Sequence, residues 1–226
     1  MRLQLSQINL SQIKPLQKLI HKTLPEARIE PIMLPGCGGI ALALINADFP
    51  PEPLAGDILQ AVIRDPAYWA FCWGSGLALA QFLHRHPEWT RRRSVVDLGC
   101  GSGVVAIAAA ATGATRVIAC DNSPDALIAT RANAALNGAT IETCARLENL
   151  PRDNDLLLMA DVLYDASNFT LLQRAGEYAT QVIVADSRIT ELPDPSYREL
   201  SRFDASTYPN LGEFDEFRTV RLFHRA

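Results

Sequence analysis

Apolar positions follow two different rhythms along this chain. Ile13, Leu16, Leu19 and Ile20 recur at helical spacing and predict a helix over residues 11–23. "RIEPIML" (28–34) and "IALALINAD" (40–48) flank "PGCGG" and predict two strands around a turn. "PPEP" at 50–53 marks a loop, and "GDILQAVIRD" (56–65) a short helix ahead of Pro66. From about residue 75 the rhythm changes to strands alternating with helices. "SVVDL" (94–98), "RVIAC" (116–120), "ATIETC" (139–144), "LLLMA" (156–160) and "QVIVA" (181–185) are strands, the central ones apolar on both faces. "SGLALAQFLHRH", "VVAIAAAA" and the run from Pro124 to Asn137-Gly138 are helices, the last capped by Ser123. "EFRTVRLFHRA" ends the chain as an alternating edge or antiparallel strand. This order predicts an α/β fold, a doubly wound and mostly parallel sheet over residues 66–226, with an appended segment (1–65) of a helix and a strand pair.

Composition narrows the chemistry. At 226 residues, 48% apolar and 20% charged, the chain can bury one sizeable core. A net charge of −4 argues against broad nucleic-acid binding, which needs a basic face. No apolar run has the length of a membrane span. The five cysteines are odd in number and lack C-x-x-C spacing, so neither a disulfide framework nor a metal site is expected, and a reducing compartment fits. The first 25 residues carry Arg2, Lys14, Lys18 and Lys22 without an acid, a faint transit-peptide pattern. The cytoplasm is the expected location, or a mitochondrion in a eukaryotic source.

The clearest motif is "VVDLGCGSGVV" (95–105), at the turn between the first core strand and its helix. Gly99, Gly101 and Gly103 let a ligand approach the backbone, and the following helix presents free N–H groups. Asp121 ends the second strand, 22 residues after Gly99, where a carboxylate can hold both hydroxyls of a ribose. Asp97 discriminates between ligands. A carboxylate beneath this turn would repel a pyrophosphate, and Val104 breaks the dinucleotide glycine spacing. A donor carrying an ammonium and a sulfonium suits Asp97 better, which disfavours a nicotinamide-dependent oxidoreductase.

"VVDLGCGSG" with "ACDNSP" resembles the signature of class I S-adenosylmethionine-dependent methyltransferases. The resemblance implies a seven-stranded sheet, with Asp97, Gly99, Cys100, Gly101 and Gly103 at the methionine end of S-adenosylmethionine. Asp121 would hold its ribose, while Asn122 and Leu147 border the adenine.

"LLLMADVLYDAS" (156–167) runs a buried strand straight into Asp161, with Tyr164 three positions on. Ligands of doubly wound sheets lie beyond the carboxyl ends of strands where the order reverses, so this lip faces the reacting methyl group. Asp-x-x-Tyr here is similar to a motif of protein-lysine methyltransferases. "DPAYWAFCWGSGLALAQFL" (65–83) resembles the matching segment of the electron-transfer-flavoprotein β-subunit lysine methyltransferases, whose later Gly-Asp corresponds to Ala185-Asp186. That resemblance implies Trp73 and Ser75 beside the cofactor and Asp161 and Tyr164 in the acceptor pocket. It implies a protein partner presenting a lysine, with that flavoprotein subunit the first candidate. Another protein, such as a ribosomal one, and a small amine are the alternatives. Trp69 and Trp73 would form apolar walls disfavouring the charged amine, and residues 1–65 would cover the substrate side.

Overall fold

The computed structural model describes residues 10–49, 58, 60, 62, 64–210 and 218–226. After a 3-10 turn at Leu10–Gln12, helix α1 (Lys14–Ile20) leads to strands β1 (Ile29–Met33) and β2 (Ala41–Ile45), an antiparallel pair. Residues 58, 60, 62 and 64 are helical. A 3-10 turn at Tyr68–Ala70 then precedes α2 (Gly74–Arg85). The remaining order is β3 (Ser94–Leu98), α3 (Val104–Ala111), β4 (Arg116–Cys120), α4 (Pro124–Leu136), β5 (Glu142–Cys144) and β6 (Asn154–Ala160). α5 (Thr170–Ala175), β7 (Ala179–Asp186), β8 (Arg198–Asp204) and β9 (Thr219–Arg225) complete it.

The seven strands lie in the order β5-β4-β3-β6-β7-β9-β8. β3 to β7 run parallel, and β9 is antiparallel to both of its neighbours. Strand order reverses between β3 and β6, which places the crevice at their carboxyl ends. Alternation along these strands serves two packed layers. Val95, Leu156 and Leu158 face α2, α3 and α4, while Val96, Leu157 and Met159 face α5 and the turn at Leu147. Burial on both faces explains why β6 reads as one apolar run. β8, the seventh strand, is exposed along most of its length, so "RELSRFD" carries no apolar signal.

The N-terminal elements share their cores with the sheet domain. Leu16, Ile20 and Ile45 pack with Trp69 and with Ala126, Ala129 and Leu136 of α4. Leu42 and Leu44 join the cluster beneath α2 and α3. The outer edge of β2 ends on two asparagines, one in α4 and one at its C-cap. Asn133 Oδ1 accepts the Ala43 N–H at 2.8 Å, and Asn137 bonds both the N–H and the carbonyl of Ala41. An edge left bare would expose unpaired N–H groups; here a helix satisfies them.

Candidate active site

The glycine turn divides into two structural tasks. All three glycines have positive φ (77°, 51° and 83°), a conformation in which an L side chain is strained. A Cβ at Gly99 would lie 2.6 Å from Val162 Cγ2, and one at Gly103 would lie 3.0 Å from Thr130. Those glycines let the turn pack against the β6 lip and α4. A Cβ at Gly101 meets nothing within 4 Å, so Gly101 is where the backbone lies open to a ligand.

Asp121 follows β4 and folds back on this turn. Its Oδ2 accepts the Gly101 N–H at 3.0 Å and its Oδ1 the Ser123 N–H at 2.9 Å. The carboxylate therefore links the open glycine to the start of α4. Asn122 beside it is exposed, and Leu147 is buried behind the turn after β5. Cys100 points inward, its sulfur accepting the Thr130 hydroxyl, and burial holds its thiol well above the ordinary range. Its part in a ligand site is its backbone.

Asp97 lies below the turn, only 1% exposed, rather than on its surface. Its Oδ2 accepts the Ala106 N–H at 2.9 Å, satisfying one of the free donors in the first turn of α3. Burial first, with Asp121 adding like-charge repulsion, pushes its carboxyl up to about 7. The carboxylate thus shapes the turn from underneath.

At the β6 lip, Asp161 takes φ 54°, so the chain leaves the strand in a left-handed conformation that a non-glycine residue adopts at a cost. Ser75 holds it there. The Ser75 hydroxyl donates to Asp161 Oδ1 at 2.6 Å, and the Ser75 N–H donates to Oδ2 at 3.1 Å. Arg188 Nη1 stands 3.9 Å away. Burial, with Asp186 adding repulsion, raises the Asp161 carboxyl to about 6 despite these bonds. Residues expected on opposite sides of the reaction, Ser75 on the donor side and Asp161 on the acceptor side, are one pair joining α2 to β6. Asp165 caps the short turn that follows.

Tyr164 projects outward, 61% exposed, its ring 5.9 Å from that of Tyr68. Burial and the neighbouring Tyr68, with the Asp165 and Asp121 charges, raise its phenol. β3 and β6 are parallel neighbours, and a Cβ at Gly99 would meet Val162, so the glycine turn and the Asp161–Tyr164 lip leave the sheet side by side. Trp73 directly precedes α2, and its ring meets that of Tyr68 edge-on at 5.8 Å. Trp69 does not line this wall: it sits in the core beside α4. The side chain at that spacing faces inward.

Sequence reasoning passed over Tyr68, Thr130 and Asn133. Thr130 donates to the Gly101 carbonyl and Asn133 to the Ser102 carbonyl, so α4 braces the turn from behind. Their signal was present as buried polar residues on an otherwise apolar helix face. Among the described residues no group of histidine, cysteine and acidic side chains could hold a metal. No helix among them is long and apolar enough to cross a membrane.

A known structure shares this architecture: ribosomal protein L11 methylase from Lactobacillus delbrueckii subsp. bulgaricus, at TM-score 0.50 and 24% identity over 66% of this chain and 78% of that one. The fold is that of a class I methyltransferase. The family model for ribosomal protein L11 methyltransferase (PrmA) matches residues 79–168. The electron transfer flavoprotein β-subunit lysine methyltransferase of Danio rerio is 37% identical over 142 residues, 59% of this chain and 55% of that protein. The ribosomal protein L11 methyltransferase of Geobacter sulfurreducens is 37% identical over 135 residues, 59% of this chain and 42% of that protein. The chain thus spans about half the length of these relatives. The sequence resemblance to the flavoprotein lysine methyltransferases stands.

Proposed function

We propose that this protein is an S-adenosylmethionine-dependent protein-lysine N-methyltransferase. The observation that carries the reading is the adjacency, at the carboxyl ends of the paired strands β3 and β6, of an open Gly101 bonded to Asp121 and the Asp161–Tyr164 lip. The cradle fits the donor: the space over Gly101 admits a ligand against the backbone, and Asp121 can exchange its loop bonds for ribose hydroxyls. Leu147 borders the adenine. When bound, S-adenosylmethionine supplies the electrophilic methyl group.

The chain's residues then have to align an amine. Methyl transfer is an in-line displacement, so placing the nitrogen at attack distance is the main demand. A lysine amine, with an intrinsic pKa of about 10.4, must first lose a proton. Asp161 draws the ammonium in and favours its charged form, so its role is positioning. Tyr164 accepts a hydrogen bond from the amine and turns the lone pair toward the methyl group. The acceptor most worth testing is the electron transfer flavoprotein β-subunit, named in the Danio rerio relative. Ribosomal protein L11 is the second, favoured by the family model over residues 79–168. The cytoplasm is the compartment in this reading.

Incubating lysate with tritiated S-adenosylmethionine and the protein tests the assignment. Label is expected in a discrete protein band and, after hydrolysis, in methyl-lysine. Label confined to the low-mass fraction would overturn it.

A further inference from the structure

We propose that Tyr68 and Tyr164 form a two-ring entrance that receives the alkyl stem and ammonium of the acceptor side chain, which makes Tyr68 a specificity-determining residue. The inference rests on the lysine reading and names a residue outside the Asp-x-x-Tyr motif.

Among the described residues the exposed large hydrophobic side chains are Tyr68 (49%), Tyr164 (61%) and Leu200 (37%). Two of these three touch each other, at the lip where β6 ends. Scattered exposed rings need no explanation, but two in contact at a crevice mark a binding surface. They are also held in place. The Trp73 indole N–H donates to the Tyr68 carbonyl at 2.9 Å, its ring meets Tyr68 edge-on, and Phe71 packs on Trp73 at 5.5 Å. Trp73 lies two residues before Ser75, whose hydroxyl binds Asp161. Tyr68 is therefore tied through a short rigid path to the carboxylate expected to draw in the amine.

The chemistry of the pair matches a lysine. Ring faces attract an ammonium and cover a methylene stem at the same time. Asp161 lies three residues before Tyr164 and Asp165 directly after it, so the loop that carries Tyr164 is acidic and favours a cation. An amide acceptor lacks the charge and gains little from two phenol faces. Tyr68 acts here through its ring, so phenylalanine can replace it and an aliphatic side chain cannot.

The test titrates choline and its neutral isostere, 3,3-dimethylbutan-1-ol, into the full chain saturated with S-adenosylhomocysteine, following tryptophan fluorescence and calorimetry. Wild type is expected to bind choline more tightly than the isostere. Tyr68→Leu should weaken choline about tenfold, as expected for a lost cation–π contact. Tyr68→Phe should retain it, and S-adenosylhomocysteine affinity should stay within about twofold throughout. Tyr164→Leu, in which Tyr68 is intact, serves as a second probe of the pair. Undetectable choline binding by wild type, equal binding of the isostere, or an unaffected Tyr68→Leu variant would overturn the entrance. Failure of wild type to label any protein in lysate, with the choline results intact, would instead remove the lysine assignment.

Discussion

The two halves of the crevice are built on opposite principles. On the proposed donor side the groups are set by the packed turn: Gly101 bonded by Asp121, Asp97 beneath the turn, Thr130 and Asn133 behind it. On the proposed acceptor side a strained Asp161 directly follows β6 and two tyrosine rings project outward. A donor common to many enzymes can be met by a fixed turn whose shape is set by packing. An acceptor that arrives on another molecule has to be met at the surface by side chains. On the proposed reading, general binding chemistry resides in the interior of this fold and selectivity at its rim.

The sharpest way to break that contrast is at Asp161. Asp161→Ala should leave S-adenosylmethionine bound within a few-fold while lowering turnover by at least about 100-fold, because misplacing a reacting group costs that much. Asp161→Asn keeps an acceptor for the Ser75 hydroxyl, so it should recover thermal stability but not rate. Comparable turnover in all three proteins would remove Asp161 from the acceptor site. Asp121→Ala should do the reverse, weakening cofactor affinity about 10- to 100-fold through lost charge-assisted hydrogen bonds. Calorimetry reads that directly, and an unchanged affinity contradicts the ribose placement. The glycines sharpen the picture within the donor half. Gly99→Ala drives a Cβ to within 2.6 Å of Val162 and should cost about 2 kcal/mol of stability. Gly101→Ala meets no protein atom, so it should cost less stability than Gly99→Ala and more cofactor affinity. Equal effects of the two on thermal unfolding and on binding would erase the division of labour.

What the sequence made legible follows the same divide. β3 and β4 were readable to the residue because they are β-branched runs closed by turn chemistry, and α4 because Ser123, Pro124 and Asn137-Gly138 mark both its ends. The glycine turn was readable because glycine at positive φ has a local cause. β8 was not, since an exposed edge strand has no apolar alternation to betray it. Nor was the Ser75–Asp161 pair, which joins residues 86 apart through a hydroxyl and an amide that no periodicity records. Tyr68 and Trp69 adjoin in sequence yet one faces the crevice and the other the core. Only the 3-10 turn that carries them decides which.

The smallest effect concerns Asp97, and its sign distinguishes a charged donor from a neutral one. In the folded protein this carboxyl is raised from 3.8 to about 7, chiefly by burial, so between those values the folded state holds a proton that the unfolded chain has lost. Its contribution to stability is fully present below pH 4 and is lost as pH rises through 7. Asp97→Asn cannot ionise and should flatten that part of the profile in chemical denaturation. A cation bound above the turn favours the carboxylate, lowers its pKa and expels the proton. S-adenosylmethionine affinity should therefore rise with pH up to about 7 and level off, by about tenfold for each unit by which the cation lowers the pKa. Calorimetry in buffers of different ionisation enthalpy should register proton release. S-adenosylhomocysteine lacks the sulfonium charge and should show a shallower rise, and Asp97→Asn none. An affinity that instead fell as pH rose through 7 would mean that the turn does not hold a positively charged donor over Asp97.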